Sequence, residues 1–588
     1  MSVNSVREDE TNIEVSKVTT LLRLYRYMLA YKKEIGIVIF IMIINIGIIM
    51  MNPLIIEYAI DEKVANMDKK GLLLVGMFAI FMNGILVIGI KLRIYIMGKV
   101  SNDVVLTIRD ELYTHLQSMS LHFFDSRPTG KILARVIGDV NSLKEILEDS
   151  VTSLIPELVT ILSVAVIMVV KNARLAMAGF LTLPILFGGM YLIETFAHKK
   201  WQILRKKNSN LNAFIHENFS GIRIIQSFTA EKEAMQNFDE LLEEQKTAYV
   251  SAVRLADTFS SLIDFSWALG SVLLYFIGIK VLGVGTIGVG TLLAFSAFMS
   301  MFWTPIRNIS NFYNKLITNI SGAERIFEVM DMEPEIQDSK DAVGLPDING
   351  EIAFDKVTFS YEDGVKVLNN VSFLIHPGET IALVGATGGG KSTIVNLISR
   401  FYDIQEGSIL IDGYPIIDVT IESLRRQMGV MTQDNYLFSG TIMENIRYGK
   451  LDATEEEIIA AAKAVHAHEF IMKLEQGYAT EISERGARLS IGQRQLLAFA
   501  RTMVSEPRIL ILDEATSHID THTEQFVQQG IEALLKGRTS FVIAHRLSTI
   551  QKADRIFVID DGIILEEGNH ESLIAKQGAY YNLYQTQS

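Results

Sequence analysis

Charge is absent from long stretches of the first half of this chain, and nothing else in the sequence narrows its fold as much. A helix that crosses a bilayer needs about 20 mainly apolar residues. Ile35–Ile56 and Gly71–Ile90 satisfy this without one charged residue. Val151–Val170, interrupted only by Glu157, and Leu175–Ile193 follow, and stretches near Phe259–Leu282 and Thr286–Pro305 complete a set of six. One such run could be the buried helix of a soluble domain. Six in one half of a chain read as a membrane domain of six spans.

The connections between the runs are unequal. Lys171–Arg174 alone joins spans 3 and 4, and a few Gly-rich residues join spans 5 and 6. Residues 91–150 and 194–258 are long, charged and helix-patterned, with Lys91, Arg93, Lys99 and Arg109 in the first and Lys199, Lys200, Arg205, Lys206 and Lys207 in the second. Basic loops favour the cytoplasmic side, so both loops, and with six spans both termini, are expected there. Helices continuing about 25 residues past the bilayer would reach about 40 Å, far enough to touch a soluble domain. Lys17–Lys33 spaces Leu and Tyr among basic residues and reads as an interfacial helix. Glu157 and Asp264 fall inside spans, where charge is costly. Each either faces a hydrated cavity or a neighbouring helix, or contacts substrate or protons. Pro53, Pro184 and Pro305 are expected to bend helices, and the methionines near Met299–Met301 to pack, face lipid or adapt to apolar cargo.

The chain has 588 residues, too many for one domain, and after about residue 350 it reads as a soluble α/β protein. Its formal charge of −14 argues against nucleic acid as a partner. With no cysteine it has no disulfide framework, thiolate zinc site or cysteine-protease domain. The first 17 residues are acidic and polar, without the pattern of a signal peptide, and are expected to be disordered.

Gly385-Ala-Thr-Gly-Gly-Gly-Lys391-Ser392-Thr393 fits the phosphate-loop pattern G-x-x-x-x-G-K-[ST]. Thr380–Val384 before it reads as a buried strand and Ser392–Tyr402 as a helix. Glycines, Gly385, Gly388 and Gly390 among them, let backbone N–H groups turn inward around phosphates, and the helix N-terminus adds a favourable dipole. Lys391 would hold the β- and γ-phosphates and Ser392 would ligate Mg²⁺, with Thr393 beside it. Arg508-Ile-Leu-Ile-Leu-Asp513-Glu514 is an apolar strand ending in two carboxylates. Asp513 would bind Mg²⁺, and Glu514 would serve as general base or water-orienting group.

Between these motifs, Leu489-Ser490-Ile491-Gly492-Gln493 opens a further helix, and here the sequence resembles the ATP-binding-cassette family, whose signature is LSGGQ. The resemblance extends over essentially the whole chain and implies the family's other roles in order. Tyr361 matches the aromatic that stacks on adenine, and Gln433 the glutamine that senses Mg²⁺ and the attacking water. Ser483–Gly486 matches a segment facing the membrane domain, Asp520 lies in the D-loop, and His545 is the switch histidine at the γ-phosphate. Segments near His122–Val140 and His216–Ala230 resemble those that dock on the ATPase domains. The implied fold is multi-domain: an all-α six-helix transmembrane domain at 18–325, a linker at 326–350 and an α/β P-loop NTPase domain at 351–588. ATP and Mg²⁺ are the implied cofactors. Membrane lipids, a small hydrophobic or amphipathic substrate and a second half-transporter subunit are the implied partners, in the cytoplasmic membrane.

In that family each ATP lies between one subunit's phosphate loop and the other's signature helix, so one chain cannot complete a site. This signature departs from the family's, because Ile491 stands where a glycine is usual, while Lys391, Asp513, Glu514 and His545 are intact. The D-loop reads Ser-His-Ile-Asp where Ser-Ala-Leu-Asp is usual. The combination resembles heterodimeric bacterial multidrug exporters, and a heterodimer is expected over a homodimer. The expected function is ATP-driven export of hydrophobic or amphipathic compounds by alternating access. The alternatives are a lipid flippase or peptide exporter acting as a homodimer and, from another class, a nucleotide-gated channel.

Overall fold

The apolar runs become long helices because nothing within them competes for the backbone and no glycine or proline cluster stops them. The structure, a computed structural model, describes residues 17–281, 288–361, 364–432, 435–483, 486, 488–514, 521–544 and 547–587. The chain divides into two compact units. Of the described residues, one holds 17–116 together with Gly130–Met332; the other joins Gln117–Thr129 to those from Glu333 onward.

In the first unit, α1 (Lys17–Met28), α2 (Lys32–Tyr58) and α3 (Lys69–Ser118) lead to the short α4 (Leu121–Asp125), which belongs to the second unit. They are followed by α5 (Val140–Asp149), α6 (Ile155–Phe180), α7 (Leu183–Ser220), α8 (Glu231–Phe276) and α9 (Val289–Asp331). Five stretches among the described residues are long and apolar enough to cross a membrane: Val18–Val64, Lys69–Ser118, Ala134–Phe180, Glu231–Lys280 and Val289–Tyr313. The connection expected between the third and fourth spans, at Lys171–Arg174, falls where α6 breaks. The chain leaves helical geometry at Asn172 (φ −157°, ψ 99°), whose side chain accepts the N–H groups of Arg174 and Leu175 and so caps a restarted helix. Leu175–Phe180 lies in this restarted helix, and a turn at Leu181–Thr182 separates it from α7. Pro184 sits in the first turn of α7, where its missing N–H costs nothing.

On α3, exposed and buried apolar residues separate along the helix. Leu73, Leu74, Ile80, Phe81, Val87 and Ile88 on α3 are open, as a lipid-facing surface requires, whereas Met97, Val100, Val104, Ile108 and Leu112 farther along are buried. A core of Val164, Met168, Leu175, Ile263, Leu274, Phe295, Phe298, Met299 and Trp303 unites α6, α8 and α9. Both intramembrane acids have partners on α9: Asn308 donates to Glu157 at 2.5 Å, and Arg307 pairs with Asp264. Near the other end of α9, Asp61 accepts the N–H groups of Gly290 (2.7 Å) and Thr291 (3.1 Å), and Glu57 pairs with Lys171.

The stretch expected as a linker, 326–350, is divided. The α9 helix runs on to Asp331, and the residues after it are tied to the second unit through backbone N–H groups. Leu345 donates to Ser423 at 2.8 Å, Ile348 to Gln427 at 2.9 Å, and Gly350 and Glu351 to Asp412 at 3.0 and 2.7 Å. Arg400, fully buried, donates to the carbonyls of Val419 and Gln337. Exposed-looking sequence is ordered here because side chains satisfy its backbone.

The second unit is built on two sheets. The strands β1 (Ile352–Ser360), β2 (Lys366–Ile375) and β4 (Glu406–Ile411) form an antiparallel layer, with β1 central. The other sheet contains β3 (Thr380–Val384), β5 (Met428–Met431), β6 (Ile509–Glu514), β7 (Thr539–Ala544), β8 (Arg555–Asp560) and β9 (Ile563–Gly568) in the order β9-β8-β3-β7-β6-β5. Its pairings are parallel except for β8 with β9. Both faces of the parallel strands are covered, which explains their unbroken apolar runs.

Candidate nucleotide site

The strand β3 is flanked by β7 and β8, and the chain leaves its end in a glycine turn that enters α10 (Lys391–Ile398). Gly385, Gly388 and Gly390 have φ of +141°, +87° and +107°, backbone that side chains other than glycine rarely adopt. Space adds a second demand at Gly385, where a Cβ would lie 1.9 Å from the Ile559 carbonyl oxygen. At Gly388 nothing lies within 4 Å of such a carbon, so that side of the loop is open.

Lys391 folds back over the turn, and its amine donates to the carbonyls of Gly385 (2.9 Å) and Ala386 (2.7 Å). Burial lowers the affinity of this amine for its proton, while the Asp513 carboxylate acts in the opposite direction. Ser392 is exposed in the first turn of α10, and Thr393 is buried. Asp513 and Glu514 end β6, paired across β7 with Ile543 and Ala544. Asp513 also lines a cavity of about 20 Å³ with Thr432, Asn435 and Gln495. An amine in a glycine turn at a helix N-terminus suits a polyphosphate. The Ser392 hydroxyl and Asp513 carboxylate are hard oxygen donors that suit Mg²⁺ once phosphate oxygens fill its remaining positions.

Tyr361 is brought to the same place. Its hydroxyl donates to Thr393 Oγ1 at 3.2 Å, and the residue is 36% exposed. Ser490, Gly492 and Gln493 stand elsewhere, at the start of α11 (Ile491–Val504). Ser490 Oγ accepts the Gln493 N–H (3.2 Å) and Gln493 Oε1 accepts the Ser490 N–H (2.9 Å), a reciprocal cap. Gly492 is buried, whereas Ile491 is 44% exposed in the first turn. Among the described residues no hydrogen bond joins this cap to Gly385–Thr393. Gln433, Asp520 and His545 lie outside the described residues, as does the side chain of Glu514.

Sequence reasoning missed Tyr402, which packs behind Tyr361 and donates to Asp125 at 2.7 Å. The one available signal was the aromatic pair Phe401-Tyr402 just after the phosphate-loop helix. A cleft of about 640 Å³ between α7 and α8 contains none of the predicted site residues.

Two family models match the chain: "ABC transporter transmembrane region" over residues 35–306, and "ABC transporter" over residues 368–517. An ABC transporter ATP-binding protein of Bacillus subtilis, YknV, is 42% identical over 574 residues, covering 96% of this chain and 94% of that protein. A putative multidrug export ATP-binding/permease protein of Staphylococcus aureus is 37% identical, covering 96% and 99%. A solved bacterial Atm1-family ABC exporter with ATP bound superposes with a TM-score of 0.79 at 28% identity, covering 95% of this chain and 98% of that one. The chain belongs to the ATP-binding-cassette exporters, multi-pass membrane proteins in which an ATPase drives transport.

Proposed function

We propose that this chain is the hydrolytically complete half of an unequal pair that exports hydrophobic or amphipathic compounds from the cytoplasm. The observation that carries the reading is the contrast between two sites. The phosphate loop, Lys391 and Asp513 stand together on one sheet, while the signature helix presents the exposed side chain of Ile491 where close backbone approach needs glycine.

In this reading Tyr361 stacks on adenine and Lys391 neutralises the β- and γ-phosphates of ATP. Mg²⁺, held by Ser392, Asp513 and Gln433, would supply further charge neutralisation at the phosphate oxygens. Glu514 orients or deprotonates the attacking water, and His545 contacts the γ-phosphate. Ser490, Gly492, Gln493 and Asp520 face the ATP held by the partner subunit, where Ile491 holds that second site partly open. ATP then biases the pair toward closure, and hydrolysis removes the bias. Both termini and the ATPase domain face the cytoplasm, consistent with Lys and Arg in the long loops. A relative named for multidrug export supports a cargo of broad apolar character.

The test is ATPase turnover of the purified chain, alone and with a candidate partner subunit of similar length. Alone it is expected to turn over slowly; with the partner, turnover should rise and then fall at least about 100-fold in Glu514→Gln, the scale of a lost general base. Full cooperative turnover by the chain alone would refute the unequal pair. Transport that survives Glu514→Gln undiminished would refute the pump.

A further inference from the structure

The aromatic side chains behind Tyr361 have no place in the hydrolysis of ATP. Phe359, Tyr361 and Tyr402 stand mutually edge to face or nearly so. Ring centroids are 4.9 Å apart for Phe359–Tyr361 and for Tyr361–Tyr402, and 5.8 Å for Phe359–Tyr402. Each tyrosine hydroxyl is tied to a different element. Tyr361 donates to Thr393 on the phosphate-loop helix, and Tyr402, 8% exposed, donates to Asp125 Oδ2 on α4 at 2.7 Å. The His122 ring meets Tyr402 edge-on at 6.3 Å. Burial, then the neighbouring Asp125 carboxylate, push the Tyr402 phenol far above its ordinary range, so it stays a proton donor at every physiological pH. The same segment is held a second time where Ser120 donates to Glu335 at 3.1 Å, and Phe123 beside it is buried. In sequence, α4 directly follows the membrane helix α3.

We propose that Tyr402 is a positioning residue that passes the state of the base-binding face to α4, so that the seat of this helix depends on the nucleotide base and not on the phosphates alone. The proposal rests on the reading of Tyr361 as the adenine platform. A base stacked on Tyr361 fixes that ring. The ring is packed edge-on against Tyr402, and Tyr402 holds Asp125 through one charge-assisted hydrogen bond. Aromatic pairs of this geometry couple by about two- to tenfold. Tyr402 is buried behind Tyr361, so in this reading its hydroxyl can be removed without disturbing the nucleotide contacts.

The experiment is hydrogen exchange of residues 117–129 in the full-length dimeric transporter in lipid nanodiscs, in a Glu514→Gln background. The conditions are no nucleotide, ATP, and inorganic tripolyphosphate, which has the phosphates without the base. ATP is expected to slow exchange about two- to tenfold, the strength of the ring coupling, and tripolyphosphate to leave it unchanged. Tyr402→Phe keeps the ring and should abolish the slowing at unaltered ATP affinity, whereas Asp125→Asn retains an acceptor and should preserve it. Equal slowing by tripolyphosphate, or slowing that persists in Tyr402→Phe, overturns the relay. Tyr361→Ala separates the two readings. If it weakens ATP binding while Tyr402→Phe changes nothing, the base platform stands and the relay falls; if ATP affinity is unaffected, the platform itself falls and takes the relay with it.

Discussion

Gly385 and Gly388 offer a matched pair of substitutions whose difference the structure sets. Both have positive φ, +141° and +87°, so alanine at either position strains the backbone by about 1–3 kcal/mol. Only at Gly385 is the space also taken, since the added Cβ would lie 1.9 Å from the Ile559 carbonyl oxygen and 3.0 Å from its carbonyl carbon. Those are backbone atoms of β8, which is paired to β3 and cannot swing aside as a flexible side chain would. Overpacking of this kind costs about 1–3 kcal/mol, and the reduced freedom of the unfolded chain returns about 0.4–1 kcal/mol. Gly385→Ala should therefore cost about 2–5 kcal/mol and Gly388→Ala about 1 kcal/mol. For a domain of this size that corresponds to roughly 5–15 °C against roughly 3 °C in melting temperature. The assay is calorimetry of the full chain, because Trp201, Trp267 and Trp303 all precede residue 333 and their fluorescence is blind to the C-terminal unit. Hydrogen exchange at Thr380–Val384 supplies a local readout. Equal losses in the two variants would show that the Ile559 carbonyl is not the obstacle and would refute the reasoning.

Two further outcomes are expected. Ser490→Ala removes the reciprocal cap of α11 and should cost about 1 kcal/mol, read as faster exchange in the first turn of that helix, while Ser490→Thr should retain the cap. Glu444, which accepts the Thr441 N–H at 2.8 Å and caps the helix Ile442–Arg447, is held below its ordinary value of 4.5, chiefly by that hydrogen bond. Its contribution is complete above the ordinary value and lost as pH falls through the lower folded one. In Glu444→Gln, protection of residues 441–447 should accordingly become flat in that acid range; an unchanged pH dependence would point to another group.

The parts legible in the sequence follow local rules. Long charge-free runs have few options besides helices in a membrane, and glycines at 385, 388 and 390 before a Lys-Ser-Thr helix start are placed by backbone geometry alone. The two strands behind the site were readable because burial on both faces leaves Ile509–Leu512 and Thr380–Val384 almost wholly apolar. Three features escaped because distant residues decide them. The turn at Leu181–Thr182 interrupts an apolar run with no change in composition. The order of 333–350 comes from Ser423, Gln427 and Asp412, far along the chain. The partnership of Tyr402 with Asp125 joins residues 277 positions apart, and although Asp125 lies in a segment read as docking, Tyr402 belongs to no motif.

Residues 117–129 leave the ribosome long before Glu333, yet they fold with the unit that begins there. The C-terminal unit is therefore continuous in space and interrupted in sequence. During synthesis α4 has no seat until Tyr402 and Glu335 have been made, and the last domain to be completed closes on a piece already held between two membrane helices. An ATPase domain produced from residue 333 onward would lack that piece and leave the Tyr402 hydroxyl without its acceptor. Connectivity alone therefore sets the order in which α4 and its two partners on the C-terminal unit are made.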